Sequence, residues 1–514
     1  MIIDALGTLS DFCSLKFLLL STFLLPVFWL VFKFVEERLS PLQKIPSPPG
    51  ALPLIGHVFE VLRRDNFLQA LRSWTNQYAP MFVIHPGLGI GIGGYRVMIV
   101  DPEIIRSVAV TNCQKFARSD FVTKVIPSIE KALFAVNGKE HARQKRMIGP
   151  VFNSSNLRGF LDVFKENAEK LLQLWSGQLK DLKSPEGFME TEVIKDLSHL
   201  TLDVIGESAF SYKFNSVLGG DSKISEAFNT VIQGFEFKYL ILKLMIPFFD
   251  YLPLKENRRI QSAREISDNI VMEVILDRRK QKREGNYAPL KKDLLDLLMD
   301  MYDEETDSRM DDEELRAQVF TFLLAGNDTT SVAMAWTLYE LAKNPHIQER
   351  LRSEVKAVFL DDDKITWEKL EKLQYLENVL KESLRLHSPA PVTNRVSISD
   401  VEIAGYFIPK GTQILFPIDA IGRSSQFWSN PDIFDPGRFE QEDVQSSIQT
   451  FSLIPFGCGP RMCIGNKFAM MEMKVVLTTL VKNFSFSEVP GCVVKEAAWA
   501  TVHPSGLRLR IKMA

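Results

Sequence analysis

Cys463 lies in the run Phe456-Gly457-Cys458-Gly459-Pro460-Arg461-Met462-Cys463-Ile464-Gly465. Glycines let a chain turn tightly enough to aim backbone amides at a sulfur, and a sulfur so served is held as the anion that ligates a metal. Cys458 and Cys463 also spell C-x4-C, half of a zinc or iron–sulfur arrangement, but Cys492 lies well away and no histidine is nearby. A second constellation is Ala325-Gly326-Asn327-Asp328-Thr329-Thr330, an acid and hydroxyls set among Phe320, Phe322, Leu323, Leu324 and Val332. That is odd for a plain core. Taken alone it suits a buried aspartate with threonines bonded to the preceding turn. A third is Glu382-Ser383-Leu384-Arg385, whose spacing puts acid and base on one helical face, an ordinary surface pair when read by itself.

The elements that must position these groups are mostly helical. Apolar residues recur at helical spacing over Ser154–Leu179, Glu190–Ala209, Ile260–Arg283, Asp311–Lys343 and Trp367–His387. The fourth segment opens on Asp311, Asp312, Glu313 and Glu314, closes at Asn344-Pro345, and at roughly 50 Å would cross the whole domain. Strand signals are short: Met81–Ile84 with Val97–Val100, Val401–Ile408 around Gly405, Gln413–Phe416, and Leu507–Lys512. The predicted fold class is mainly α with a small β-sheet subdomain. Gly89, Gly91 and Gly94 fit G-x-G-x-x-G as a string, but a strand follows where a dinucleotide site needs a helix, so a hairpin is expected.

Residues 17–35 form an apolar run broken only by Lys33, long enough at roughly 28 Å to span a bilayer. It leads into Glu36-Glu37-Arg38 without a small-residue cleavage site, which favours a retained anchor over a secretory signal. A buried helix is the alternative. Flanking charges are too balanced to set orientation. Prolines at 41, 46, 48, 49 and 53 stiffen the next stretch. The chain thus divides into an anchor over 1–40, a hinge over 41–53 and one body over 54–514. Sixty-one Lys plus Arg against 64 Asp plus Glu leave −3, so nucleic acid is not an expected partner. Five cysteines in 514 residues are too few and odd in number for a disulfide scaffold. The apolar run over 235–254 reads as a membrane-dipping lid or as a buried helix pair.

The cysteine segment resembles the cytochrome P450 family, whose F-G-x-G-x-R-x-C-x-G pattern is met at Phe456, Gly457, Gly459, Arg461, Cys463 and Gly465. The family's [AG]-G-x-[DE]-T-[TS] pattern is met at 325–330, its E-x-x-R at Glu382 and Arg385, and its P-x-R-F at Pro436, Arg438 and Phe439, with Gly437 where an acid is usual. This resemblance, from about Pro41 to the C-terminus, implies the cytochrome P450 fold preceded by a transmembrane helix. It implies haem b with Cys463 as axial thiolate, Phe456 beside the sulfur, and propionates held by Arg461 and Arg395. His141 and Lys145 stand where the family's W-x-x-x-R helix has its propionate donors, so the role survives a change of identity. Lys139, Arg143 and Arg146 around them form a basic face, solvated or suited to an acidic electron donor.

The resemblance further implies that Gly326 opens space for oxygen, Thr329 hydrogen-bonds the oxygen species, Asp328 relays protons, and Glu382, Arg385 and Arg438 form a buried structural triad. Residues 116–134, 320–322, 392–394 and 501–503 are expected to line an apolar pocket. The implied activity is insertion of one oxygen atom of O2 into an apolar small molecule, of sterol, fatty acid, terpenoid or xenobiotic class. Electrons would come from NADPH through a partner flavoprotein reductase. By the same analogy the protein is single-pass in the endoplasmic reticulum membrane, its catalytic domain cytosolic. The alternatives are a haem-thiolate isomerase or dehydratase, and a haem-binding protein without catalysis.

Overall fold

The computed structural model describes residues 38–514 except 53–54, 64–66, 88–93, 121–122, 125, 183–186, 221–225, 229, 232–245, 247–248, 286–290, 361, 363, 441–450 and 499, with a few positions between 28 and 36. The helical periodicity is realised in α1 (Phe67–Tyr78), α2 (Gly138–Ile148), α3 (Leu161–Asp181), α4 (Val193–Phe210), α5 (Lys255–Arg283), α6 (Asp312–Lys343), α7 (Pro345–Val358), α8 (Gln374–Leu386) and α9 (Asn466–Asn483). Strands are short: β1 (Met81–Ile84), β2 (Arg96–Ile99), β3 (Phe116–Ala117), β4 (Met189–Thr191), β5 (Thr393–Ser397), β6 (Val401–Ile403), β7 (Tyr406–Ile408), β8 (Gln413–Phe416), β9 (Phe484–Glu488), β10 (Lys495–Ala498), β11 (Val502–Ser505) and β12 (Leu509–Met513).

They form four sheets rather than one, ordered β1-β2-β8-β5-β3, β4-β12-β9, β6-β7 and β10-β11. Pairing of β1 with β2 is antiparallel, from Met81 opposite Ile99 to Ile84 opposite Arg96, so the glycine string lies between hairpin strands. The β6-β7 pair around Gly405 and the last strand were expected, whereas β3, β4, β5, β9, β10 and β11 were not, because strands of two to five residues offer few alternations to register.

α6 starts where it does because Asp311 caps it. Glu314 N donates to Asp311 Oδ1 at 2.7 Å, and Asp311 N donates to Glu314 Oε2 at 3.0 Å, a reciprocal capping box. It stops at Asn344, since Pro345 cannot continue a helix but can begin one, and α7 follows at once. Most of its 32 residues are buried, which is what a helix crossing the core at roughly 1.5 Å per residue must be. α4 lies against its middle. A Cβ on Gly326 would stand 3.1 Å from Ile205 Cδ1, and the Thr201 hydroxyl lies 2.8 Å from Asn327 Oδ1.

Two expected helices are broken. Residues 154–179 divide at Phe160, which packs on Phe468 at the head of α9. Residues 367–387 divide at Leu373, because Glu354 of α7 accepts from Tyr375 N at 2.7 Å and Leu376 N at 2.9 Å and so caps α8 from another element. The expected helix over 190–209 begins later, after β4. One apolar core unites α3, α4, α6, α8 and α9, and a second lies under β1, β2 and β8. Among the described residues no helix is long and apolar enough to cross a membrane; most of the run over 17–35 lies outside them.

Candidate active site

The cysteine loop owes its shape to two glycines. Gly457 (φ 70°) and Gly459 (φ 68°) take left-handed conformations, and a Cβ on Gly459 would stand 2.1 Å from Ala109 O. Gly465 differs from expectation: its φ is −86°, its surroundings are open, and it contributes an amide to the Cys463 thiol. Cys463 N donates to Phe456 O at 2.8 Å. Phe456 is half-buried and packs its ring on the helical core. Burial pushes the Cys463 thiol pKa up and the Gly465 amide draws it back, yet the residue remains exposed on one side. Cys458 is buried in the sheet-side core, where burial pushes its thiol up to about 11. Of these two cysteines only Cys463 is open to a ligand, so the C-x4-C reading loses its second member. Among the described residues no three Cys, His, Asp or Glu come together as a metal cage.

Five cationic or basic side chains gather beside this loop without a carboxylate among the described residues to pair them. Arg461 donates from Nη2 to Asn137 Oδ1 at 2.6 Å. Arg395, on β5 and 3 % exposed, donates from Nη1 to its neighbour Asn394 O at 2.7 Å. Lys145 of α2 donates to Pro460 O at 2.6 Å, within the cysteine loop. His141, one turn earlier on α2, has its pKa lowered to about 4 by burial and by Arg461, Lys145, Arg395 and Arg118.

Arg118 was not anticipated. Asn137 clamps its backbone, Asn137 Oδ1 accepting from Arg118 N at 2.8 Å and Asn137 Nδ2 donating to Arg118 O at 3.1 Å. Its guanidinium sits 3.9 Å from the Phe134 ring centroid, and its Nε is buried without a hydrogen-bond partner. Burial, with Arg395 and Arg461, pulls its pKa down to about 9. A guanidinium keeps its proton at neutral pH, so this stress is expressed as attraction for an anion. No local spacing marks Arg118; the turn after β3 and the Asn137 clamp bring it in.

The middle of α6 has one open face. Ala325 is exposed, and Leu324, Gly326 and Thr329 are partly so, between buried neighbours. Ala325 and Thr329 are four residues apart and share that face. Ala325 is the most open residue of this face, and Gly326, partly exposed beside it, is also where α4 comes close, since an added Cβ would meet Ile205. The Thr329 hydroxyl donates to Ala325 O at 2.6 Å, which leaves its lone pairs to accept from a molecule on the open face. Asp328 turns elsewhere: Thr501 Oγ1 donates to its Oδ2 at 2.5 Å, and His503 Nε2 lies 2.9 Å from its Oδ1. Phe320, expected in the pocket, is fully buried against Phe228, and Phe322 packs edge-on against Phe152.

Glu382, Arg385 and Arg438 meet. Arg385 Nε donates to Glu382 Oε2 at 2.7 Å and Arg438 Nε to Oε1 at 2.9 Å, all three buried. Their remaining donors reach backbone carbonyls of Gly422, Pro431, Ser429 and Ile433. Gly437, standing for the usual acid, donates its amide to Asp435 Oδ1 at 2.9 Å. The basic face on α2 is not free. Arg143 pairs with Glu140 and Glu314, and Arg146 with Asp303 and Glu305, leaving Lys139 exposed. Glu140 is an i,i+3 neighbour on the same helix, whereas Glu314, Asp303 and Glu305 come from other elements, out of reach of a helix-face reading.

The family model for Cytochrome P450 matches residues 46–508. Cytochrome P450 monooxygenase 205 of Postia placenta is 29% identical over 489 residues, covering 88% of this chain and 87% of that protein. Cytochrome P450 4c21 of Blattella germanica is 30% identical over 467 residues, covering 88% and 90%. Human Cytochrome P450 4V2 is 30% identical over 467 residues, covering 87% and 85%.

Proposed function

The chain belongs to the cytochrome P450 family of haem-thiolate monooxygenases, and from that premise we propose that it inserts one oxygen atom of O2 into an apolar small molecule. The observation that carries this reading is the carboxylate-free cluster of Arg118, Arg395, Arg461, Lys145 and His141 beside Cys463. Buried and half-buried cations without counter-charges, with a neutral His141 beside them, favour an anion, and the two propionates of a haem held at Cys463 would meet that demand. The residues fit the group. Bound haem would supply reduction of O2 and cleavage of its O–O bond, which thiolate ligation favours.

The chain supplies the rest. Gly457 and Gly459 hold the loop, Gly465 bonds the sulfur, and Thr329 presents a hydroxyl on the open face of α6. Asp328 is the acid from which protons pass toward that hydroxyl. Electrons arrive from NADPH through a separate flavoprotein reductase; Arg143 and Arg146 already pair with acids of this chain, so Lys139 is the exposed charge of that face left without such a pair among the described residues. An N-terminal anchor over 1–40, single-pass in the endoplasmic reticulum with the body cytosolic, is supported by the outward Phe28, Val31, Phe32 and Val35. The lid over 235–254 lies mostly outside the described residues. Tyr251, Leu252 and Leu254 are exposed there, as a membrane-dipping segment requires, whereas Phe249 points inward.

Cys463→Ser should abolish the red-shifted absorption band of the reduced carbon-monoxide complex, and Cys458→Ser should leave it intact. The reverse pattern would overturn the ligand assignment. NADPH oxidation with reductase separates the monooxygenase from a haem carrier.

A further inference from the structure

The acid of α6 is held from outside its own helix. Val502, at the start of β11, is pinned on three sides: its N–H donates to Pro389 O at 3.0 Å, its C=O accepts from Trp336 Nε1 at 2.7 Å, and its side chain is buried with Leu68, Val332 and Trp336. Trp336 is itself fixed, stacked on His387 with ring centroids 4.1 Å apart while His387 bonds Glu340 at 2.8 Å. The neighbours of Val502 project to one face, because side chains along an extended chain repeat every second residue. That face meets Asp328. Thr501 donates to one carboxylate oxygen at 2.5 Å, and His503 Nε2 lies within ion-pair distance, 2.9 Å, of the other without being aligned as a hydrogen bond to it.

The other strand of the hairpin is fastened as firmly. Arg72 of α1 donates to both oxygens of Glu496 at 2.8 and 2.9 Å while its other donors hold Asp419. Opposite His503 stands Ala497, which brings no charge, and Asp328 Oδ1 lies 2.9 Å from the His503 Nε2. Asp328 and Thr501 are buried, but the His503 side chain is 15% exposed. The hairpin is thus a bracket fastened on both strands, with Thr501 on the acid and a His503 side chain that buries its Nε2 and leaves a small part exposed.

We propose that Thr501 and His503 are positioning residues for proton delivery: they orient the Asp328 carboxylate, and His503 connects it to solvent. The proposal deepens the monooxygenase reading and rests on the role given there to Asp328. Both residues act through the acid, and neither is a ligand of the haem.

A substrate-free experiment tests it. With reductase and NADPH, each O2 leaves either as hydrogen peroxide, taking two electrons and two protons, or as two waters, taking four of each. The ratio of NADPH to O2 consumed therefore runs from one to two and reports proton delivery. His503→Phe and Thr501→Val should lower it toward one and raise peroxide several-fold, while His503→Gln and Thr501→Ser, which keep a donor, recover at least about half of the difference. A second readout needs no turnover: hydrogen–deuterium exchange of residues 500–505 should quicken about tenfold when both tethers are removed and stay near wild type in the Gln and Ser variants.

A ratio unchanged in the Phe and Val variants would overturn the proposal. So would equal loss in the Gln and Phe variants, since the ring would then matter only for packing. If the unsubstituted protein gives no thiolate band or no NADPH oxidation, it is the monooxygenase reading that fails.

Discussion

Two regions of this protein bury arginines, and they do so in opposite ways. At the triad, Arg385 and Arg438 share Glu382, and their other donors end on backbone carbonyls, so every charge is answered from within the chain. Beside Cys463, Arg395 is buried and Arg118 and Arg461 are half-buried, but their contacts are amides, carbonyls and an aromatic ring. Burial without a partner lowers the pKa of Arg461 to about 10 and that of Arg118 to about 9. Removing a charge from water is costly unless something of opposite sign receives it. The first region is complete as folded, and the second is completed by a ligand.

Breaking the complete region should have the largest effect. Glu382→Gln leaves two guanidiniums buried against a neutral amide, a loss of about 3–5 kcal/mol, a large share of the stability of an ordinary domain. The variant should accumulate poorly, and its urea midpoint should fall sharply; an unchanged midpoint would show that the triad carries no special load.

In the other region the expectation changes sign for the protein without its cofactor. Arg118→Leu removes a charge that nothing in the chain answers, so the haem-free protein should be no less stable. Haem affinity should drop about ten- to a hundredfold, the equivalent of losing a charged hydrogen bond worth about 1.5–3 kcal/mol. Haem transfer to an excess of an acceptor globin measures it, and a transfer rate equal to wild type would break the comparison.

The last effect concerns pH. The folded pKa of His141, lowered to about 4, lies below its ordinary 6.5. Between these values the unfolded chain binds the proton that the folded one refuses, so the haem-free protein should lose stability as pH falls from about 6.5 toward 4. His141→Phe should flatten that slope in urea midpoints. Haem should flatten it as well, because propionates accept the charge that the arginines repel.

Much of the site was legible because its chemistry is written in short, local patterns. Cys463 with its glycines, Glu382 with Arg385, and Ala325 to Thr330 each fall within one turn or one helix, where spacing and geometry are nearly the same thing. Arg118 was not legible, for its relation to Arg461 runs through Asn137 and a turn that no period encodes. The Thr501–Asp328 bond joins residues 173 positions apart. Gly326 was legible as a glycine but not as the crossing point with Ile205, and the arginines of α2 were legible as charges but not as paired ones. The break at Leu373 depends on a carboxylate from α7, which periodicity within α8 cannot reveal.

By itself, then, the sequence determined the glycine-rich cysteine loop, the long central helix with its acidic start and proline stop, and the family. These follow from turn chemistry, capping and periodicity, which act over a few residues. Only the tertiary structure decided which charges are answered within the chain and which are left for a ligand. It also decided which face of α6 is open and what holds its acid. Those outcomes depend on groups from distant segments arriving within hydrogen-bond reach of one another, and burial then magnifies whether each finds a partner.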